Sequence, residues 1–186
     1  MSTVFLSGSR KISRLSEDVI VRLQNIIDSG LKVIIGDANG ADKAFQKFFA
    51  DANYKNVTVF CSGNECRNNL GNWEVQNVQV ESGLKDRDFY TQKDKIMATK
   101  ADYGLVLWDG KSTGSVNNVF ELLRNEKVAV VYFLPEKIFH NIKSLQDADA
   151  LLKRVDNSDL ETIKKKIKLA TTVREIEEKA QGVLTF

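Results

Sequence analysis

Histidine and proline are almost missing from this 186-residue chain, which carries one of each, His140 and Pro135. Ser-His-Asp or Cys-His chemistry would need that one histidine to fold back onto a distant site, because it sits at Ile138-Phe139-His140-Asn141, away from every glycine turn. It reads as a surface or packing residue. The two cysteines, Cys61 and Cys66, have only Ser-Gly-Asn-Glu between them and no second cysteine pair or histidine pair to complete a tetrahedral set. No zinc or other metal site is expected, and no cofactor is implied. Long apolar runs are absent too: nothing approaches the roughly 18 residues of a membrane span. The chain passes from Met1 straight into Val4-Phe5-Leu6 without a basic and then apolar leader, so a cytoplasmic protein with no membrane partner is expected. Charge of one sign is also lacking. Lys and Arg number 27 against 25 Asp and Glu, a formal net charge of +2, which supplies no strong overall field for counterion release. Nucleic acid is therefore not expected as a partner.

What the chain does have is alternation. Thr3–Leu6 is a short apolar run ending in Ser7-Gly8-Ser9-Arg10, followed by Leu15, Val19, Leu23, Ile26 and Ile27 at the spacing of one helical face. Leu31–Ile35 repeats the unit: an apolar strand, the turn Gly36-Asp37-Ala38-Asn39-Gly40-Ala41-Asp42, then a helix burying Ala44, Phe45, Phe48 and Phe49. Val57–Cys61 reads as a third strand and Val75–Val80 as a weaker one. A helix-prone segment, Phe89–Lys100, precedes the strand Gly104–Trp108. A helix over Asn117–Asn125 then leads to the strand Val128–Phe133.

Continuous apolar strands between amphipathic helices predict a parallel sheet covered on both faces. Right-handed crossovers then put every strand C-terminus, and so every glycine turn, along one edge. After Pro135 the strand signal stops. Ser144–Lys153 and Leu160–Lys179 are charged and helix-prone, and this tail can pack on the sheet, extend as a dimer arm or cover the crevice. The run Lys164-Lys165-Lys166 reads as a solvated helix face.

The most informative stretch is Tyr103–Asn118, Y-G-L-V-L-W-D-G-K-S-T-G-S-V-N-N, which runs from an apolar strand through a small-residue turn into an amphipathic helix. Amides at a helix N-terminus lack intrahelical partners and carry partial positive charge, so an anion can settle there without a lysine. Ser112, Thr113, Gly114 and Ser115 have no bulk to block a phosphate, and three of them offer hydroxyls. The same residues would also serve an ordinary capped strand-to-helix turn. Gly110-Lys111-Ser112 resembles the end of a Walker A motif, but Leu105 stands where the first glycine belongs, inside the strand, so no triphosphate-wrapping loop can form.

In this order, S-G-S-R after the first strand, G-D-A-N-G-A-D after the second, K-D-x-x-M before A-D-Y-G, and D-G-K-S-T-G-S resemble the SLOG superfamily. That group includes the cytokinin-activating LOG phosphoribohydrolases, the lysine-decarboxylase-like proteins and the DNA-processing DprA fold. The resemblance spans roughly residues 1 to 134 and omits the tail. It implies a Rossmann-like three-layer α/β sandwich with a mostly parallel sheet over 1–134, and a helical C-terminal extension over 135–186. The family also suggests a homodimer.

The resemblance further implies a nucleotide-derived ligand, such as a nucleoside monophosphate, ADP-ribose or an NAD fragment, with phosphate at Gly114. LOG enzymes cleave the bond between ribose and base with an Arg and a Glu, in motifs of the form R-K-x-x-M and P-G-G-x-G-T-x-x-E. Here Lys93 and Asp94 take the R-K positions, Asp109 and Gly110 replace P-G, and Asn117 stands where the Glu belongs. Asn cannot take a proton, so an N-glycosidase would need another carboxylate, and Asp94 and Asp37 are the candidates.

The expected ligand-binding set is Ser7, Gly8, Ser9 and Arg10 from the first turn, and Gly36, Asp37, Gly40 and Asp42 from the second. Lys93, Asp109, Gly110, Ser112, Thr113, Gly114, Ser115 and Asn118 complete it. Arg10 can fork onto a phosphate as a lysine cannot, or lie on the surface. Asp42 can cap its helix or bind ribose hydroxyls. Trp108 is read as core in preference to a base-stacking platform, and Arg67, Asn68 and Asn69 as pocket wall. Three functions follow in order: a nucleotide-binding N-glycosidase, a nucleotide sensor favoured by Asn117, and DprA-like single-stranded DNA binding, which the near-neutral composition disfavours.

Overall fold

The computed structural model describes residues 1–79 and 86–182, with side chains at all of these except 86–90. Seven strands alternate with helices: β1 (Thr3–Gly8), α1 (Glu17–Asp28), β2 (Lys32–Gly36), α2 (Ala41–Asp51), β3 (Val57–Ser62), β4 (Glu74–Val78), α3 (Asp86–Lys100), β5 (Tyr103–Trp108), α4 (Thr113–Arg124), β6 (Val128–Phe133), β7 (Ile138–Ile142), α5 (Leu145–Leu152), α6 (Asn157–Lys166) and α7 (Leu169–Gly182). They form one sheet in the order β4-β3-β2-β1-β5-β6-β7, parallel throughout except for β7. This is the Rossmann-like three-layer α/β sandwich that the alternating pattern predicts.

The strands are buried on both faces because successive side chains point to opposite sides. Phe5, Ile34, Phe60, Val106 and Trp108 share one core with Met97 of α3 and Val119, Phe120 and Leu122 of α4. Val4, Leu6, Val33, Ile35, Val59, Leu105 and Leu107 face the other, packed by Val19, Leu23 and Ile26 of α1 and Phe45 and Phe49 of α2. Chain order runs outward from β1 through β2 and β3, then restarts on its other side at β5, so a topological switch point lies between β1 and β5. In open parallel sheets the crevice for ligands forms outside the strand C-termini at such a point.

Three features depart from the sequence reading. Strand signal does not stop at Pro135: the chain turns back over Leu134–Lys137, with Lys137 at φ 56°, and Ile138–Ile142 adds β7 antiparallel to β6. Only Ile142 of β7 is fully buried, which is why an apolar count missed this edge strand. Helix α4 begins at Thr113, not Asn117, because Ser112 caps it and its first turn is built from the small residues of the loop. The strand expected over Val75–Val80 is seen as Glu74–Val78, and Val80 lies outside the described residues. Cys61, in β3, is disulfide-bonded to Cys66 in the loop that follows. Among the described residues no helix is long and apolar enough to cross a membrane.

The tail packs on the sheet. Ala148, Leu151 and Leu152 of α5 and Ile163 and Ile167 in and after α6 belong to the same core as Trp108 and Phe133. Helix α7 docks against the end of α4, where Arg124 reaches Glu121 and Glu175, both at 2.8 Å, and Lys179 donates to the Arg124 carbonyl at 2.8 Å. Ile163 is fully buried, so Ile163→Ala removes contacts on all sides and should cost about 2–5 kcal/mol of unfolding free energy, measured by urea denaturation. A loss below about 0.5 kcal/mol would mean that the tail is not part of this core.

Candidate functional site

A cavity of about 520 Å³ opens at the C-terminal ends of the strands and is bordered by residues from β1, β2, α2, α3, α4, α6 and the loops that join them. Its volume lies in the range of small-molecule sites. The three turns that the sequence singles out meet here, held together by their backbones. Ser9 donates its amide to Leu107 of β5 at 2.9 Å and accepts from the Ala41 amide of α2 at 3.1 Å. Gly40, at φ 82°, presses on the backbone of Arg10, where any side chain would collide.

The Asp109 carboxylate joins the turn after β1 to the loop before α4. It accepts from the Ser9 hydroxyl at 2.7 Å and from the amides of Ser112 and Lys111 at 2.7 and 3.0 Å. Burial works to raise its pKa, but these three hydrogen bonds outweigh it and hold the carboxyl below its ordinary value. The Trp108 indole, fully buried, donates to the Ser112 carbonyl at 3.1 Å and fixes the same loop from beneath.

Helix α4 therefore starts at the cavity. Ser112 accepts from the Ser115 amide and hydroxyl at 3.4 and 3.0 Å. The first intrahelical bond runs from Val116 to Ser112, so the amides of Thr113 and Gly114 precede the helix ladder. Two buried polar atoms on residues of the same cavity lining have no partner among the described residues, the Ser7 hydroxyl and the Asn118 side-chain carbonyl. Both residues border the cavity, at 5% and 6% exposure. A buried polar atom without a partner costs roughly 1–3 kcal/mol, a cost that an incoming ligand or water can relieve.

At the end of β2 lies a second polar cluster. Lys93, on α3 and 4% exposed, ion-pairs with Asp94 at 2.9 Å. A Cβ on Gly36 would lie 2.6 Å from the Lys93 ammonium and closer still to the Asp42 carboxylate, so the bare glycine is what admits both. Burial pushes the Asp42 carboxyl up to about 6, with Lys93 offsetting only part of the shift. Burial alone would lower the Lys93 pKa, but Asp94, Asp42 and Asp37 together keep it above the ordinary lysine value. This cluster holds a carboxyl that gains and loses its proton near neutrality beside a fixed cation, a pairing able to move a proton to or from a bound molecule.

The sequence-predicted residues divide accordingly. Ser7, Gly8, Ser9, Arg10, Gly36, Asp42, Lys93, Asp94, Asp109, Ser112, Thr113, Gly114, Ser115 and Asn118 all border the cavity, as does Asn117. Asp37, Gly40 and Gly110 do not. Asp37 is buried and its carboxylate is gripped by Arg67, at 2.6 Å from Nη2 and 2.9 Å from Nε, and by the Arg67 amide at 3.1 Å. Burial raises the Asp37 pKa, but the Arg67 bonds prevail and hold it low, so this group acts as an anchor for the Arg67 loop. Gly110, at φ 79°, faces Phe133 and Pro135.

Asn68 donates to the Asp37 carbonyl and to Asn39, while Asn69 brackets Trp73; of the three proposed wall residues only Arg67 reaches the cavity. His140 lies on β7 beside Phe133, away from the cavity. Sequence reading missed Thr162 and Lys166, which border the cavity from α6. Their signal was the apolar spacing of Leu160, Ile163 and Ile167, which fixes the side of the helix that must be buried. Among the described residues no three metal-type side chains cluster.

The cavity collects charge that the overall composition hides. Arg10, Lys11, Arg67, Lys93, Lys111 and Lys166 border it against Asp42, Asp94 and Asp109. The lining side chains thus carry more positive than negative charge, although Arg67 and Lys111 are ion-paired with Asp37 and Asp159 just outside the lining.

Against known proteins, no protein-family model matches the chain, and no curated protein matches it. Among solved structures, it is similar to DNA processing protein A from Helicobacter pylori, described for its single-stranded DNA binding mode. The TM-score is 0.56 at 13% identity, over 90% of this chain and 80% of that one. At this identity the likeness is one of fold.

Asp42 makes the site's cost to stability measurable. Its folded pKa of about 6 exceeds the 3.8 of an ordinary aspartate, so its favourable contribution is complete below pH 3.8 and is lost as pH rises through about 6. Relative to Asp42→Asn, the wild type should lose on the order of 2 kcal/mol between pH 4 and 7.5, followed by denaturant unfolding at each pH. A difference between the two proteins that does not change with pH would show that Asp42 is not held in this state.

Proposed function

We propose that the crevice binds a nucleotide-derived ligand of the nucleoside monophosphate or ADP-ribose type, as a SLOG-like protein would, with a phosphate on the first turn of α4. The observation that carries this reading is that Ser7 and Asn118, whose buried polar atoms lack partners among the described residues, line the same cavity as Thr113 and Gly114, whose amides open α4 at the switch point of the sheet. An anion there is stabilised by the helix dipole and by first-turn amides, and the cationic border of the crevice adds to the attraction. The sugar and base then extend toward Gly36, where Asp42, Lys93 and Asp94 lie.

That direction defines what chemistry the site supports. In N-glycosidic hydrolysis, water adds to the anomeric carbon, the carbon–nitrogen bond breaks, and the base leaves with a proton. Asp94, the carboxylate paired with Lys93, is the group to steady the cationic sugar, and Asp42 is the group to supply the proton. A sensor would use the same pocket without turnover, and Asn117 at the family's acidic position supports that outcome. The fold shared with DNA processing protein A, together with the cationic border, supports single-stranded DNA as a second reading. Stacking platforms are the weak point of the DNA reading: the one aromatic residue bordering the cavity among the described residues is Phe5, which is fully buried.

Thermal unfolding with AMP, ADP-ribose, NAD and an oligothymidylate separates these readings. A nucleotide at one hundred times its dissociation constant should add about 2.7 kcal/mol, or roughly 5–10 °C in Tm for a chain of this size. Chromatography for free base then distinguishes hydrolase from sensor, and release abolished by Asp94→Asn assigns the carboxylate. A shift with the oligonucleotide alone would replace the nucleotide reading with the DNA one, and no shift with any of the four would remove both.

Gly114→Ala gives an independent check. Nothing lies within 4 Å of a Cβ at that position, so the apoprotein should keep its stability or gain up to about 1 kcal/mol. Ligand affinity should nevertheless fall, because the methyl group occupies the anion's approach. Unchanged affinity would move the phosphate away from α4.

A further inference from the structure

We infer that Asn118 is a specificity-determining residue of the crevice, its side-chain carbonyl accepting a hydrogen bond from a hydroxyl on the sugar that follows the ligand's phosphate. This rests on the nucleotide reading above and deepens it: the first turn of α4 fixes where the phosphate sits, and Asn118 decides which sugar is accepted.

Helix geometry fixes where Asn118 stands relative to that turn. It lies four residues after Gly114 on α4, so the two positions are neighbours on one stripe of the helix, about 5–6 Å apart. Side chains on a helix lean back toward its N-terminus, which brings the Asn118 amide toward the first turn. Gly114 puts no side chain between them, and nothing lies within 4 Å of a Cβ built there. Both residues border the cavity. Asn118 is carried on a regular, well-packed helix, between the buried Val116, Val119 and Leu122, so it can make a contact of defined geometry.

The chemistry of the orphaned atom then selects its partner. A side-chain carbonyl only accepts hydrogen bonds, so Asn118 needs a donor. The hydroxyl three residues earlier, on Ser115, is engaged with Ser112 at 3.0 Å, and the Ser7 hydroxyl does not bond to Asn118. An ionised phosphate offers acceptors alone and cannot satisfy it. The next polar groups along a nucleotide are the sugar hydroxyls, each a donor as well as an acceptor, and the base follows only after the sugar. A sugar hydroxyl is therefore the donor placed to reach the carbonyl. Burial makes the contact selective: at 6% exposure, an analogue lacking the hydroxyl leaves the acceptor still unpaired, and sites of this kind reject such analogues strongly.

Isothermal titration of the full chain with AMP, 2′-deoxy-AMP, 3′-deoxy-AMP and IMP tests this, using the wild type, Asn118→Leu and Asn118→Asp. The wild type should bind at least one deoxy analogue about ten- to hundredfold more weakly than AMP, and should bind IMP, which lacks the base amine, within about threefold of AMP. In Asn118→Leu that preference should shrink to less than about threefold, because no buried carbonyl remains to be satisfied. Asn118→Asp keeps an acceptor and should keep the preference. Equal wild-type affinity for AMP and both deoxy analogues, or a loss confined to IMP, would overturn the role of Asn118 and leave the crevice reading standing, and this comparison decides even where a variant does not fold. So would an Asn118→Leu protein that binds every ligand more weakly with the ratios unchanged, since that is the mark of a purely structural residue. Absence of wild-type binding to any of the four would overturn both readings.

Discussion

The Asp109 carboxylate, bonded at once to the Ser9 hydroxyl and to the amides of Lys111 and Ser112, is the interaction on which the crevice depends. It lies at the switch point, where β1 and β5 run side by side and their following turns diverge to opposite faces of the sheet. Without that bridge the two turns would be separate loops. With it, Ser7 and Ser9 on one side and the first turn of α4 on the other become a single polar surface. The sheet supplies proximity, through the register that sets Gly8 beside Leu107, and the carboxylate supplies orientation.

Around this bridge the protein accepts polar burial that a purely structural sheet edge would avoid. Ser7 and Asn118 hold buried atoms without partners, and Asp42 shares its surroundings with Lys93 under a desolvation that works against its charge. Asp37 shows the contrasting solution: the amide, Nε and Nη2 of Arg67 are all turned onto it, so its charge is satisfied and it serves architecture. The two aspartates are five residues apart in the same turn, yet one is neutralised by a partner and the other is left able to exchange a proton. Among the described residues the buried polar atoms without a partner are on Ser7 and Asn118 at the cavity and on Ser62, Arg124 and His140 elsewhere, so what sets the cavity apart is that two of them lie together there with a carboxyl whose charge is opposed by burial.

Much of this was legible in the residues. Apolar runs such as Val128–Phe133 and the helical spacing of Leu15–Ile27 dictate buried parallel strands and their covering helices, and right-handed crossover then forces the glycine turns to one edge. The small residues Ser112–Ser115 announced the start of α4, although the helix begins four residues before the apolar periodicity does, because capping and not hydrophobicity sets its first turn. Other features had no local signal. Which aspartate of Gly36–Asp42 would be gripped by an arginine depends on the path of the loop after β3, held by its Cys61–Cys66 bond. β7 escaped notice because an edge strand with one buried end carries little apolar pattern. The cationic lining is invisible to a whole-chain charge count, since it arises from six residues scattered from Arg10 to Lys166.

The central claim is that the turns after β1 and β5 together receive an anionic nucleotide on main-chain amides. Amide-resolved NMR of the labelled protein titrated with ADP-ribose tests it most directly, because it reads those amides one by one. The account predicts saturable shifts largest at Gly8, Thr113, Gly114 and Ser115, with the outer strand β7 unaffected. Shifts confined to β7 or to the far ends of the strands, with the amides of Thr113 and Gly114 unmoved at saturation, would contradict it.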